Sequence, residues 1–260
     1  MAVEVLRAHK PSLTATAVLV ALIAAMKNVG ERVVETKQYR GDSEWLMLFG
    51  VGADAHSKAR DHHVKAGGKA MLWDLGYFGR RKETGYVRGS INTDHPQALI
   101  DRAPTDPSRW DSLGISLRED YKRDGHILLI GLGRKSRAYF GDGWEQAKYA
   151  ELVKRFPPSR IVYRPKVDGD IVVLPCARDG TSAIESLLRG AALVVCKHSN
   201  VACDAAVAGV PFEATDGAAM WLAGRDYTQT SRMEFLQRLA WFQWRPDEAK
   251  QAWQFFKGIV

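Results

Sequence analysis

Short apolar runs alternate with longer helical patterns over the first third of the chain. Apolar or β-branched runs of about five residues are typical of buried strands, and a Pro-Ser pair followed much later by Gly30 brackets a helix. The pattern predicts strands at 3–7, 32–36, 45–49 and 69–73, and helices from 12 to about 28 and from 54 to 65. Strands that alternate with helices predict crossover connections and a parallel sheet.

The same alternation restarts near residue 125. Between 76 and 124 the chain is rich in Gly, Pro, Arg and Asp without a regular period, which is typical of a functional loop or a connection between domains. Beyond it the pattern predicts a turn at 131–135, strands at 126–130, 160–164, 171–174, 193–196 and 211–214, and helices at 144–155, 182–189, 200–208, 233–244 and 246–256.

These elements predict an α/β protein made of two small Rossmann-like domains whose sheets face each other across a cleft. The N-terminal domain is expected to span 1–124 and the C-terminal domain 125–260, with the terminal helices packing back. A chain of 260 residues is long enough to bury two such cores. With 46% hydrophobic and 26% charged residues, the composition excludes disorder, collagen and coiled coil.

Charge, apolar runs and cysteines narrow the cellular context. The longest apolar run, at 15–26, is shorter than the roughly 20 residues of a membrane span and has no basic leading segment, so we expect neither a span nor a signal peptide. Three closely placed cysteines favour a reduced, cytoplasmic protein. A net charge of +7 fits either a polyanionic partner or a phosphate-bearing substrate.

The segment from 193 to 211 carries the most chemical information. A buried strand ends in the polar turn His198-Ser199-Asn200, where Ser199 or Asn200 can cap the following helix and its first N–H groups can attract phosphate. Asp204 lies one turn further along, where a carboxylate can accept hydrogen bonds from ribose hydroxyls. An ordinary strand, cap and helix without a ligand explains the same residues equally well.

This segment resembles the nucleotide-sugar half of GT-B glycosyltransferases and of related nucleotide-sugar epimerases. Gly133, Arg134 and Lys135 resemble the first loop of that domain, and 160–166 resembles a strand that commonly ends Arg-Pro-His-Pro. Here Lys166 follows Arg164-Pro165, so a role of that histidine is not carried over. The C-terminal segment and Gly76-Tyr77-Phe78-Gly79 resemble small phage and prophage proteins of GT-B-like layout.

The resemblance implies sugar transfer from a nucleotide-sugar donor, with a UDP-sugar expected and no metal or other cofactor required. Helix N-termini and cations can stabilise a diphosphate leaving group. The residues expected to bind the donor are Gly133, Arg134, Lys135, Arg164, His198, Ser199, Asn200 and Asp204. Each cation alone is more commonly a solvated surface residue.

An inverting transferase also needs a base for the acceptor hydroxyl. Asp74 and Asp54 follow predicted strands and are the candidates, with His56 as a third. A helix-capping role explains Asp54 better than a catalytic one, whereas Asp74 has no such structural explanation. The adjacent His62 and His63 cannot share one helix face and match no metal-ligand spacing, so no metal site is predicted.

The acceptor is expected to meet the N-terminal half. Gly76, Tyr77, Arg80, Arg81 and Lys82 are the expected acceptor-binding residues. A solvated loop is the commoner explanation of such a basic cluster, but the net charge, the loop and the resemblance to phage proteins together imply a hydroxymethylated pyrimidine in double-stranded phage DNA as the acceptor. Two alternatives stay open: a nucleotide-sugar epimerase of the same fold, and a non-catalytic nucleic-acid-binding protein. The aromatic residues near the C-terminus can stack on bases or sugars but fit helix packing better.

Overall fold

The computed structural model describes residues 2–7, 12–50, 54–79, 85–166 and 172–260. The chain divides into two compact units: unit 1 comprises Met1–Leu113 and Gln237–Val260, and unit 2 comprises Gly114–Leu236. This division differs from the predicted domains, which have one boundary at 124 and place the C-terminal residues in the second domain.

The elements, in chain order, are as follows. The strands are β1 (Ala2–Leu6), β2 (Arg32–Thr36), β3 (Trp45–Phe49), β4 (Lys69–Leu75), β5 (Val87–Ile91), β6 (His126–Ile130), β7 (Ile161–Arg164), β8 (Ala177–Arg178), β9 (Ala191–Val195), β10 (Phe212–Glu213) and β11 (Gln243–Trp244). The α-helices are α1 (Leu13–Asn28), α2 (Asp54–Lys65), α3 (Ser108–Asp111), α4 (Arg134–Phe140), α5 (Trp144–Leu152), α6 (Ile184–Leu188), α7 (Val201–Ala208), α8 (Gln229–Ala240) and α9 (Ala249–Gly258). Short 3-10 turns cover Ile100–Arg102, Pro158–Arg160, Ala218–Leu222 and Pro246–Glu248.

Unit 1 is built on a six-stranded sheet in the order β11-β5-β4-β3-β1-β2. The neighbours among β1 to β4 run parallel, while β5 is antiparallel to both β4 and β11. In β3, the residues from Trp45 to Leu48 are almost completely buried, as expected for a central parallel strand covered on both faces.

The C-terminal segment joins unit 1 through β11 and α9. β11 pairs with β5, and the predicted helix at 233–244 therefore ends at Ala240. On α9, Trp253 packs edge-on against Trp45 at 5.1 Å, and Phe256 packs against Trp73 at 5.4 Å. These contacts explain why the unit boundary differs from the predicted domain boundary, and they place these aromatic rings in a core.

Unit 2 is built on a five-stranded, fully parallel sheet in the order β10-β9-β6-β7-β8. Its core contains buried apolar residues from β6, β7 and β9, including Ile127, Ile161 and Val195. The strand predicted at 171–174 is not found over its described residues, 172–174, and the sheet is instead extended by β8.

Two mostly parallel sheets with connecting helices confirm the predicted pair of Rossmann-like α/β units. Helix α1 begins after Ser12, whose hydroxyl accepts the Ala15 N–H at 3.1 Å, so the predicted start is correct. Within the part of the chain that the structure describes, no helix combines the length and apolar character needed to cross a membrane.

Candidate functional site

An open pocket lies at the carboxyl edge of the unit 2 sheet. From β6 the chain winds to β7 and β8 on one side, then returns to β9 and β10 on the other, so the winding reverses between β6 and β9. Open α/β sheets bind ligands at this kind of switch point. The pocket measures about 200 Å³ including its open mouth. Its polar side chains are Ser136, Lys166, Lys197, His198 and Ser199, and the Gly131–Gly133 turn forms one wall.

The turn after β6 is fixed by hydrogen bonds from two of its amides. The Gly131 N–H donates to the Arg164 carbonyl at 2.8 Å, and the Leu132 N–H donates to Glu145 Oε1 at 2.8 Å. A Cβ on Gly131 would lie 2.6 Å from the Tyr163 hydroxyl, so a side chain at this position would force its neighbour to move. Two amides of the turn are therefore used within the protein rather than for a ligand.

A buried ion pair supports this turn from behind. Glu145 on α5 is fully buried, and the side chain of Arg137 on α4 is 7% exposed and donates to the same carboxylate. The Arg137 N–H also donates to the Gly133 carbonyl at 3.0 Å. Because buried charges are costly without partners, the pair ties α4 and α5 to the pocket wall.

The turn after β9 forms the opposite wall. The Ser199 hydroxyl accepts the Val201 N–H at 3.3 Å, whereas the Asn200 side chain makes no capping hydrogen bond to α7. The Ala202 N–H donates to the Ser199 carbonyl at 3.1 Å. The first amides of α7 are thus partly satisfied within the turn, which reduces the number that a phosphate could use.

His198 connects the two walls. Its Nε2 lies 2.9 Å from the Ser136 hydroxyl on α4.

Cys196, just before the turn, is buried, and burial raises the pKa of its thiol to about 11. The thiol is therefore neutral at physiological pH and is unsuited to act as a nucleophile.

The charge of the pocket comes from two lysines that are not among the predicted donor-binding residues. Lys166 follows β7 and Lys197 follows β9, and no carboxylate is found among the described residues lining the pocket. Lysines at two strand ends, with two hydroxyls and an imidazole, form a site for an anionic group that carries oxygen atoms. Lys197 lies inside the segment 193–211 of the sequence analysis, and Lys166 lies where the resembling families carry histidine.

Three other predicted donor-binding residues, Arg134, Arg164 and Asp204, are not among the residues that line the pocket. Arg164 donates to the Ser182 carbonyl at 2.5 Å, and Arg134 is exposed at the start of α4. Asp204 lies on α7 and is half-buried. The side chain of Lys135 lies outside the described part of the chain. Roles for these residues stay predictions.

In unit 1, the predicted base Asp74 is the last residue but one of strand β4 and lies next to an arginine. Its Oδ1 accepts its neighbour's N–H, from Leu75, at 2.8 Å, and its Oδ2 accepts from Arg88 at 3.2 Å. The Asp74 side chain is 37% exposed, so the carboxylate can meet solvent or a ligand.

The other two candidate bases are Asp54 and His56. The side chain of Asp54 and its neighbours 51–53 are outside the described residues. His56 is buried and its Nδ1 lies 3.0 Å from the Gly50 carbonyl.

The predicted acceptor-binding segment is tied to β11. The Phe78 N–H donates to Gln243 Oε1 at 2.8 Å, and a Cβ on Gly76 would lie 2.9 Å from the same oxygen. Tyr77 is fully buried, so its ring belongs to the core of unit 1. The predicted contacts of Arg80, Arg81 and Lys82 fall on residues that the structure does not describe.

The paired histidines of α2 make hydrogen bonds to a tyrosine. The Tyr39 hydroxyl lies 3.3 Å from His62 Nδ1 and 3.1 Å from His63 Nδ1. His63 Nε2 lies 3.3 Å from the Glu44 carbonyl. Among the described residues, no group of three or more His, Cys, Asp or Glu side chains is arranged to hold a metal ion.

Solved structures of known proteins resemble this chain over nearly its whole length. One is a Thermosulfurimonas dismutans KpsC structure, a β-Kdo 2,4 transferase: the match covers 94% of this chain and 91% of that structure, with a TM-score of 0.55 and 12% identity. A second KpsC structure from the same organism, a β-Kdo 2,7 transferase, gives 98% and 99% coverage, a TM-score of 0.53 and 13% identity. The chain has the two-Rossmann-like fold of these glycosyltransferases. No protein-family model and no curated protein sequence matches it.

Proposed function

We propose that this protein is a glycosyltransferase that moves a sugar from a nucleotide-sugar donor to an acceptor hydroxyl. The observation that carries the proposal is the unit 2 pocket, where Lys166, Lys197 and His198 converge at the switch point of a parallel sheet. When the glycosidic bond of the donor breaks, negative charge develops on the leaving phosphate. The two lysine ammonium groups lower the energy of that charge more than the energy of the intact donor, and this difference accelerates the reaction.

The fold supports the same reaction class. The two similar structures are named as β-Kdo transferases and match nearly the whole chain, although identities of 12% and 13% leave donor and acceptor open. UDP-sugars remain our expected donors, and an activated Kdo donor should be tested beside them.

For the acceptor step we propose Asp74 as general base, with Asp54 as the second candidate. As the acceptor oxygen attacks the anomeric carbon, its proton passes to the Asp74 carboxylate and the bonding electrons of the donor leave with the phosphate. The partly exposed carboxylate of Asp74 suits this role, since a base must touch its substrate.

DNA as the acceptor is a separate proposal with its own support. It rests on the net charge of +7 and on the basic residues at 80–82. A duplex containing 5-hydroxymethylcytosine is therefore one acceptor to test, beside an oligosaccharide with free hydroxyls.

The test is an assay of nucleotide release from a panel of nucleotide-sugars, with and without each acceptor. We expect acceptor-dependent release, and we expect Lys197→Met to weaken donor binding by about ten- to a hundredfold, as for loss of a charge-assisted hydrogen bond. Lys154→Met is the matched control, because Lys154 is an exposed lysine on unit 2 outside the pocket lining.

Three results would each point elsewhere. Conversion of the donor without acceptor would indicate the epimerase. Salt-sensitive DNA binding without a thermal shift by nucleotides would indicate a nucleic-acid-binding protein. Equal donor affinity in the two lysine variants would contradict the pocket as the phosphate site.

A further inference from the structure

A buried arginine lies directly across the sheet from Asp74. In the antiparallel pairing of β4 with β5, Asp74 is opposite Arg88, and the Arg88 guanidinium donates to Asp74 Oδ2 at 3.2 Å. The arginine side chain is 9% exposed, compared with 37% for the aspartate. The carboxylate therefore lies at the surface, and the guanidinium lies beneath it.

The guanidinium is itself held from behind by several groups. Its NH1 donates to the Asp94 carbonyl and lies 3.3 Å from His95 Nδ1 and 3.5 Å from the Tyr77 hydroxyl. The guanidinium carbon is 5.3 Å from the centre of the Tyr77 ring. His95 and Tyr77 are both buried, so this end of the arginine has little freedom to move.

The hydrogen-bond roles in this cluster are defined by chemistry. Arginine has donors only, so in its contact with Arg88 the His95 Nδ1 can only accept, and the same nitrogen lies 3.2 Å from the Tyr77 hydroxyl. Asp94 also forms an ion pair with Arg60. Although burial by itself favours a neutral guanidinium, Tyr77 and Asp74 raise the pKa of Arg88 overall, so it keeps its charge.

Both oxygens of the Asp74 carboxylate are thus engaged from the protein side. Oδ1 accepts from Leu75 N–H at 2.8 Å and Oδ2 accepts from Arg88. A carboxylate held at two points has a fixed plane, and 37% of the Asp74 side chain is still exposed. Holding a reactive group within a fraction of an ångström of its working geometry is a large part of catalysis.

We propose that Arg88 is a positioning residue, which fixes the plane of the Asp74 carboxylate for proton transfer from the acceptor hydroxyl. This inference rests on the proposed function, because it assigns Asp74 the work of a base. Arg88 itself is too buried to touch a substrate, and it acts through Asp74.

A merely structural role for Arg88 makes a different prediction. An arginine that only fills the core would, on replacement, lower stability without changing the turnover of the folded protein. Arg109 provides the matched control in the same unit: its side chain is 14% exposed, pairs with Glu248, and donates to the Gln243 carbonyl at 2.5 Å. Its guanidinium also packs over an aromatic ring, that of Trp244, at 3.9 Å.

The experiment compares Arg88→Met, Arg88→Lys, Arg109→Met and Asp74→Asn with the wild-type full chain. Each variant is crystallised under one condition, and nucleotide release is measured on the nucleotide-sugar that the wild type turns over, at temperatures where each variant is folded. We expect Arg88→Met to lower kcat by about 30-fold or more with the donor KM unchanged, as expected for the loss of an oriented base. Arg88→Lys should recover part of that loss, while Arg109→Met should keep wild-type kcat.

The outcomes separate the two proposals. If the wild type turns over a donor and Arg88→Met keeps the kcat of Arg109→Met, the positioning role is wrong. If the wild type consumes no nucleotide-sugar, the proposed function fails. The crystal structures of the wild type and of Arg88→Met then decide whether Arg88 fixes the position of the Asp74 carboxylate. A displaced Asp74 carboxylate in Arg88→Met supports positioning, whereas an unmoved carboxylate overturns it.

Discussion

Replacing Glu145 with glutamine tests the buried ion pair behind the pocket. Glu145 is fully buried and its partner Arg137 is 7% exposed, so the substitution leaves a buried guanidinium without its counter-charge. Removing one member of a buried pair costs about 3–5 kcal/mol. The glutamine oxygen can still accept the Leu132 N–H, so we expect the lower end, about 3 kcal/mol.

Urea unfolding followed by circular dichroism measures this loss, and a thermal melt should show a fall in Tm of about 6–12 °C for a chain of this size. Glu151→Gln is the control, because it makes the same change on the same helix at an exposed pair with Lys148, and we expect it to change stability far less. Adding Arg137→Met to Glu145→Gln should recover most of the loss, because it removes the unpaired guanidinium while the glutamine oxygen still accepts the Leu132 N–H. A loss below about 1 kcal/mol for Glu145→Gln, or no recovery in the double variant, would refute the reasoning.

Two further predictions concern residues of unit 2. Hydrogen bonds from Ser182, with a smaller contribution from other groups, lower the pKa of Asp179 to about 2. Because this folded value lies below the unfolded value of about 3.9, the stabilisation is present above pH 4 and is lost as the pH falls towards 2. The stability difference between wild type and Asp179→Asn should therefore shrink over that window, and a pH-independent difference would count against it. Separately, Gly131→Ala places a Cβ 2.6 Å from the Tyr163 hydroxyl and should cost about 1–3 kcal/mol in urea unfolding. Adding Tyr163→Phe should restore part of the lost stability. A double variant that is less stable than Gly131→Ala alone would show that the clash is not the cause.

Local sequence patterns were sufficient for the parallel strands. β3 and β6 were predicted with the bounds that the structure has, because a strand buried on both faces is a continuous apolar run flanked by polar residues or glycine. The two-unit α/β class followed from the repetition of such strands with helices.

Elements that depend on distant partners were missed. β5 contains Arg88, Gly89 and Ser90 within five residues, so it carries no apolar period, and it forms because β4 and β11 pair with it. A Cβ on Gly89 would meet the Phe256 ring at 2.5 Å, a contact between residues far apart in sequence. β11 was predicted as helix because its residues continue the helical period of α8, yet Gln243 is fully buried and binds the Phe78 amide.

Part of the pocket lining could be predicted from the sequence, whereas its role stays a prediction. The turns at Gly133 and at His198-Ser199 do meet at one pocket, since the carboxyl ends of adjacent parallel strands share one edge. The sequence could not distinguish the lysines that line the pocket from solvated ones, because Lys197 has the same local pattern as any charged residue before a helix. Which amides are already bonded, such as that of Leu132, also depends on the fold.

The central claim is that the unit 2 pocket binds the donor phosphate, and a co-crystal structure with UDP tests it most directly. We predict phosphate oxygens within hydrogen-bond distance of the Lys166 and Lys197 ammonium groups and of the Ser199 hydroxyl. UDP bound elsewhere on the protein, with its phosphates away from both lysines, would contradict the claim.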